Sequence, residues 1–158
     1  MTATSRRHQK GVAAIEFALV FTVLFLVIYG IATFGAVLYA QQAISRSAED
    51  GARAVALLNS VPTANDSRIQ NVVYDSLASS LIVPAASNTS LATRRSWIAA
   101  QVTVVVTTTG TNPNINTVVT VTYPYSANRL LPSLPLLNTS LWMPDRLSGR
   151  STAAIQPT

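Results

Sequence analysis

Gly11, Val12, Glu16 and Phe17, in the stretch GVAAIEF, are the residues whose types and spacing offer chemistry. Glu16 lies inside an apolar run, and a lone carboxylate in the middle of a membrane costs roughly 2.5–3.5 kcal/mol on insertion scales. The bland reading is that Glu16, about one turn inside the run, reaches back to the headgroups at modest cost. The sharper reading gives it a cation, because a buried charge is tolerated when paired. Val12 precedes Glu16 by four residues, so on a helix the two share a face and stand about 6 Å apart along the axis. A free α-amino group at position 12, with an unperturbed pKa near 7.7–8.0, would sit level with Glu16 of a neighbouring, suitably staggered molecule. Glu16 would then fix register, since the wrong stagger leaves a charge in oil; buried polar groups set register in this way in coiled coils.

Little else in the chain offers chemistry. There is no cysteine, which excludes disulfides and thiolate catalysis. The single histidine, His8, lies in the basic leader, and Asp66, Asp75 and Asp145 are far apart with no metal-ligand spacing. No glycine-rich phosphate loop is present. The expectation is a protein that is not an enzyme, with no catalytic residue, no metal and no cofactor. The net charge of +5 is no nucleic-acid footprint. Arg6, Arg7 and Lys10 all precede the apolar run, and without residues 1–11 the chain would carry 8 basic and 6 acidic side chains. Apart from Arg94–Arg95 the remaining arginines are scattered, so no nucleic-acid partner is expected.

The element that must position Glu16 is a long helix. From Phe17 to Ser45 no charged residue occurs, a length of about 43 Å as a helix, against a hydrocarbon core of about 30 Å. Phe17 to Tyr39 alone suffices. Hydrophobic residues at 49% and charged residues at 11% fit a membrane protein. A cleaved secretory signal has a much shorter apolar region, so the segment is expected to stay as a single span. The basic leader places the N-terminus in the cytoplasm and the rest outside it.

With these residues assembled, the N-terminal region resembles a type IV prepilin-class signal: a basic leader ending in Gly11, then VAAIEF, then an apolar helix. Residues 11–57 further resemble the TadE-like family of pseudopilins of bacterial tight-adherence (Flp pilus) systems. The resemblance rests on AAIEFAL, YAQQAISRSAEDGARAVAL and, later, VTVTYPYSANRLLPSLPLL. It implies a cut between Gly11 and Val12 by a membrane-embedded prepilin peptidase, with Phe17 where related pilins often carry an aromatic. It also implies a minor, assembly-related role, with other pilins and inner-membrane pilus assembly proteins as partners. The location implied is the bacterial inner membrane, with the C-terminal domain in the periplasm and possible uptake into a surface pilus.

Beyond the membrane, Ile44, Ala48, Ala52, Val55 and Leu58 continue a helical apolar stripe, and Arg46 with Asp50 and Glu49 with Arg53 are spaced to pair at i,i+4. Asn59, Ser60 and Pro62 stop the helix. A second helix is expected from about Asp66 to Ile82, capped by Asn65 or Asp66. Residues 84–95 read as loop. WIAAQVTVVVTTT and NTVVTVTYPY alternate with period two around GTNPNIN, which reads as a hairpin with a long turn. Val102, Val104 and Val106 would share one face, and Val119, Val121 and Tyr123 a matching one. A third strand is expected at about 148–155. The proline-broken stretch 130–144 reads as cover for a sheet edge or the core. The fold class expected is α+β: a long N-terminal transmembrane helix extending into a small domain with a second helix and a short antiparallel sheet. The domains are 1–11, a cleaved leader; 12–58, the helix with its extension; and 59–158, the outer domain. Two functions follow: a pseudopilin or minor pilin, or an uncleaved single-pass anchor for an envelope-binding module.

Overall fold

The computed structural model describes residues 6–58, 60–111, 114–132 and 143–155. Helix α1 runs without interruption over Arg6–Ala56, so it starts within the basic leader. It is followed by α2 (Ser67–Ala78), a short 3-10 turn (Ala85–Ser87), α3 (Leu91–Gln101), and strands β1 (Thr103–Thr111), β2 (Asn114–Tyr123) and β3 (Leu147–Ile155). The architecture is α+β. Compact packing divides the chain into residues 1–37 and 38–158, so the division falls inside α1.

In the second unit the three strands form an antiparallel sheet in the order β1-β2-β3. Val104 pairs with Val121 and Val106 with Val119, and Val121 pairs on its other side with Gly149. The alternation that follows buries Val104, Val106, Val119, Val121 and Tyr123 on one face, as their period-two spacing foretold. Val102 is buried too, but at the C-cap of α3, just before β1. The second half of α1 lies against this face. Ile44, Ala48, Ala52 and Val55 are its buried stripe. Two glycines set how closely it approaches. A Cβ at Gly149 would come within 2.7 Å of the Ile44 carbonyl oxygen, and one at Gly51 within 2.8 Å of a Val73 methyl.

Amide side chains cover part of each sheet edge. Gln41 Nε2 donates to the Ser148 carbonyl at 2.8 Å on β3, and Gln70 Nε2 to the Val104 carbonyl at 3.3 Å on β1. Inside the sheet-helix layer the Tyr123 hydroxyl lies 3.1 Å from the Ile82 carbonyl and 3.0 Å from that of Asn128, tying two connecting segments to β2. Burial, with the neighbouring Tyr125 adding to it, pushes the Tyr123 phenol up to about 12.

Four local expectations need correction. Helix α2 ends at Ala78, not near Ile82. Ser79 and Ser80 turn their hydroxyls back onto the Ser76 and Leu77 carbonyls, both at 2.6 Å, and the Leu81 N–H goes instead to the Tyr39 hydroxyl at 2.9 Å. The stretch read as loop over 84–95 contains the start of α3, and Trp97 to Gln101 belong to that helix, not to a strand. Ser90 caps it by accepting the Thr93 N–H at 3.1 Å. The hairpin turn is short, since pairing continues to Thr111 with Asn114, deep into the stretch read as turn. Finally, neither i,i+4 ion pair on α1 forms. Asp50 accepts from Ser76 Oγ at 2.7 Å and meets Arg53 at 3.5 Å. The bulk of the proline-broken stretch, 133–142, lies outside the described residues.

Candidate functional site

Every expected processing and assembly residue sits on α1, in the first unit. Gly11, Val12, Glu16 and Phe17 are all exposed, Val12 at 67% and Phe17 at 69%. Helical geometry brings Val12 and Glu16 to one face one turn apart, as their spacing required. Phe17 lies on the neighbouring row, about 100° further round at 3.6 residues per turn.

Gly11 has no packing reason to be glycine. A Cβ there would meet nothing within 4 Å, yet glycine inside a helix costs about 1 kcal/mol relative to alanine. The same is true of Gly30 and Gly35, so an open glycine alone identifies nothing. What sets Gly11 apart is its position at the junction of basic leader and apolar run. There a glycine lowers the cost of unwinding the helix locally.

Phe17 begins an arrangement that the sequence reading overlooked. Phe17, Phe21, Phe25 and Tyr29 repeat every four residues, and consecutive ring centroids lie 5.9, 6.4 and 6.2 Å apart, each pair inclined by 22°. The four rings form one continuous ladder on the outside of the helix. The four-residue spacing was visible in the sequence, where only Phe17 was singled out. Val20, Val23, Leu24 and Val27 are likewise about half exposed. Such a surface is stable in lipid or against other apolar helices, and costly in water.

The outer acids are engaged structurally. Asp66 is the N-cap of α2, accepting the Arg68 N–H at 2.9 Å and the Arg68 guanidinium at 2.8 Å. The guanidinium hydrogen bond holds its carboxyl below the usual range, against a smaller opposing effect of burial. Asp75 pairs with Arg95 across α2 and α3. Among the described residues no group of three or more histidine, aspartate or glutamate side chains is placed to hold a metal ion.

The class these features define is an α+β protein with one helix, among the described residues, long and apolar enough to cross a membrane. Residues 11–53 match the model of the TadE-like protein family, a similarity confined to the N-terminal segment of the chain. The match takes in all four residues of the candidate site and ends before α2, leaving the sheet outside it. No curated protein and no solved structure matches the chain.

Proposed function

We propose that the protein is a minor pilin or pseudopilin acting in the assembly of a tight-adherence (Flp-type) pilus. In this reading a prepilin peptidase cuts between Gly11 and Val12 on the cytoplasmic side of the inner membrane. Helix α1 remains as the single span, and residues 38–158 stand in the periplasm or on the filament. The protein's work is structural, not catalytic. The observation that carries the reading is the placement of Glu16 one turn after Val12, at the head of an exposed apolar helix within the TadE-like segment. The new ammonium at Val12 of one subunit neutralises Glu16 of the next, and correct stagger leaves neither charge unpaired in hydrocarbon. The ring ladder that starts at Phe17 gives neighbouring helices a shaped surface to pack against.

Two measurements test this. Mass spectrometry of protein from assembled cells is expected to find Val12 as the N-terminus when the peptidase is present, and residues 1–11 retained when it is deleted. Retention in both strains overturns the reading and leaves an uncut, membrane-anchored binding module. Glu16→Ala is expected to insert normally but to co-assemble several-fold less, whereas normal co-assembly removes the register role of Glu16.

A further inference from the structure

An open groove of about 900 Å3, lined by several polar side chains, lies wholly within the second unit, between α1 from Tyr39 to Arg53 and the end of α2. Its α1 wall changes character over a short distance. Leu38 and Tyr39 are 61% and 40% exposed, and from there the wall carries Gln42, Arg46 and Glu49. A tyrosine closing an apolar span is the usual mark of the water-lipid boundary. Facing it, the Tyr39 hydroxyl holds the Leu81 N–H, and Ser79 and Ser80 line the opposite wall.

Two charges in the groove are uncommitted. Asp50 is held by Ser76 and Arg53, but among the described residues Arg46 and Glu49 form no ion pair and no hydrogen bond, and both are exposed. They stand three residues apart with the cation nearer the N-terminus, the weaker orientation for a helical pair. Helical side chains lean toward the N-terminus, so both reach back toward the Tyr39 end. Along α1 the order going away from the apolar span is therefore aromatic boundary, cation, anion. That order is the charge complement of a zwitterionic lipid headgroup, whose anionic phosphate lies next to the glycerol and whose ammonium lies beyond it.

We propose that this groove binds the phosphoethanolamine headgroup of a membrane lipid, its phosphate on Arg46 and its ammonium on Glu49. A primary ammonium donates three hydrogen bonds, so Glu49 and the serine hydroxyls favour it over a quaternary amine, which donates none. An anionic lipid would use Arg46 but meet Glu49 and Asp50 as like charges. The assignment rests on the membrane reading of α1, in either the cut or the uncut form of the chain.

The test uses the full chain in detergent micelles with equal amounts of phosphatidylethanolamine, phosphatidylcholine and phosphatidylglycerol of the same acyl chains, and retained lipid counted by native mass spectrometry. The expected result is preferential retention of phosphatidylethanolamine. Arg46→Gln is expected to lower retention of all three about fivefold, on the scale of an exposed charge pair. Glu49→Gln, which leaves Asp50 in place, is expected to reduce the preference over phosphatidylglycerol, while Arg150→Gln, on the sheet's outer face, changes nothing. Equal retention of the three lipids, or an unchanged profile in Glu49→Gln, overturns the proposal. Displacement of the lipid by equimolar soluble phosphoethanolamine overturns the membrane as the source of the ligand. Failure of the wild type to associate with bilayers at all would instead defeat the membrane reading beneath it.

Discussion

Between Val12 and Ile31, helix α1 leaves Phe17, Leu19, Val23, Ile28 and Ile31 more than half exposed, whereas between Ala40 and Val55 it buries Ala40, Ile44, Ala48 and Val55 completely. One continuous helix thus follows two rules. The first stretch presents bulky side chains on every side and its one glycine, Gly30, faces open space. The second is narrow along one side, with alanines and a glycine where the sheet and α2 come close. Hydrophobicity separates the halves as wholes, since the second carries Arg46, Glu49, Asp50 and Arg53, but what distinguishes their two apolar surfaces is side-chain size. A surface meant for lipid gains from volume in every direction, while a stripe pressed onto a sheet gains from the small residues that permit contact.

This contrast can be broken by substitution, with stability of the 38–158 unit followed by denaturant melting of the full chain in micelles. The largest effect is expected from Gly149→Val, whose side chain would strike the Ile44 backbone and force β3 off α1. A loss of about 4 kcal/mol is expected, above ordinary overpacking because backbone cannot step aside. Gly30→Val, with nothing within 4 Å, should leave melting unchanged. Ile44→Ala empties a fully buried site and should cost about 3 kcal/mol, whereas Ile28→Ala should cost the unit nothing measurable. Equal losses from the two isoleucines would defeat the comparison.

Two smaller effects sharpen it by reporting on the packed unit alone. Tyr123→Phe removes the single phenolic donor that the Ile82 and Asn128 carbonyls share and should cost about 1.5 kcal/mol near neutral pH. Its phenol is raised to about 12 in the folded chain against about 10 unfolded. The tyrosine therefore contributes stability that is complete below pH ~10 and is lost as pH rises toward ~12, so the wild type should lose its advantage over the variant in that window. Asp66→Ala removes the α2 cap and should cost about 1 kcal/mol. Because the folded carboxyl is depressed, its contribution is present above the unfolded value near pH ~4 and is lost as pH falls through the folded one. The two melting curves should converge in acid.

The long helix, the stripe from Ile44 to Val55 and the alternation in β1 and β2 were legible because each is a repeated pattern with one physical meaning. Helix α3 was not. Trp97 to Gln101 adjoin a valine-threonine run whose period extends backward to Trp97 across alanines that favour helix, and the cap signal at Ser90 lies inside a stretch that reads as loop. The early end of α2 depended on two serine hydroxyls and a tyrosine from another helix, which no local pattern reveals. Of the candidate site, the shared helix face of Val12 and Glu16 was legible from spacing, while Gly11 was singled out by resemblance. The groove was not, because Arg46 and Glu49 gain meaning only from the wall that α2 sets opposite them.

The glutamines on the two sheet borders matter most when copies are crowded. A three-stranded sheet has two open flanks, each a template onto which another chain's backbone can zip. Gln41 and Gln70 each occupy one carbonyl on such a flank, and both belong to helices already seated on the sheet. Each contact takes one edge carbonyl out of reach of another chain's backbone, so strand addition at either border would first have to displace a side chain that a packed helix holds in place.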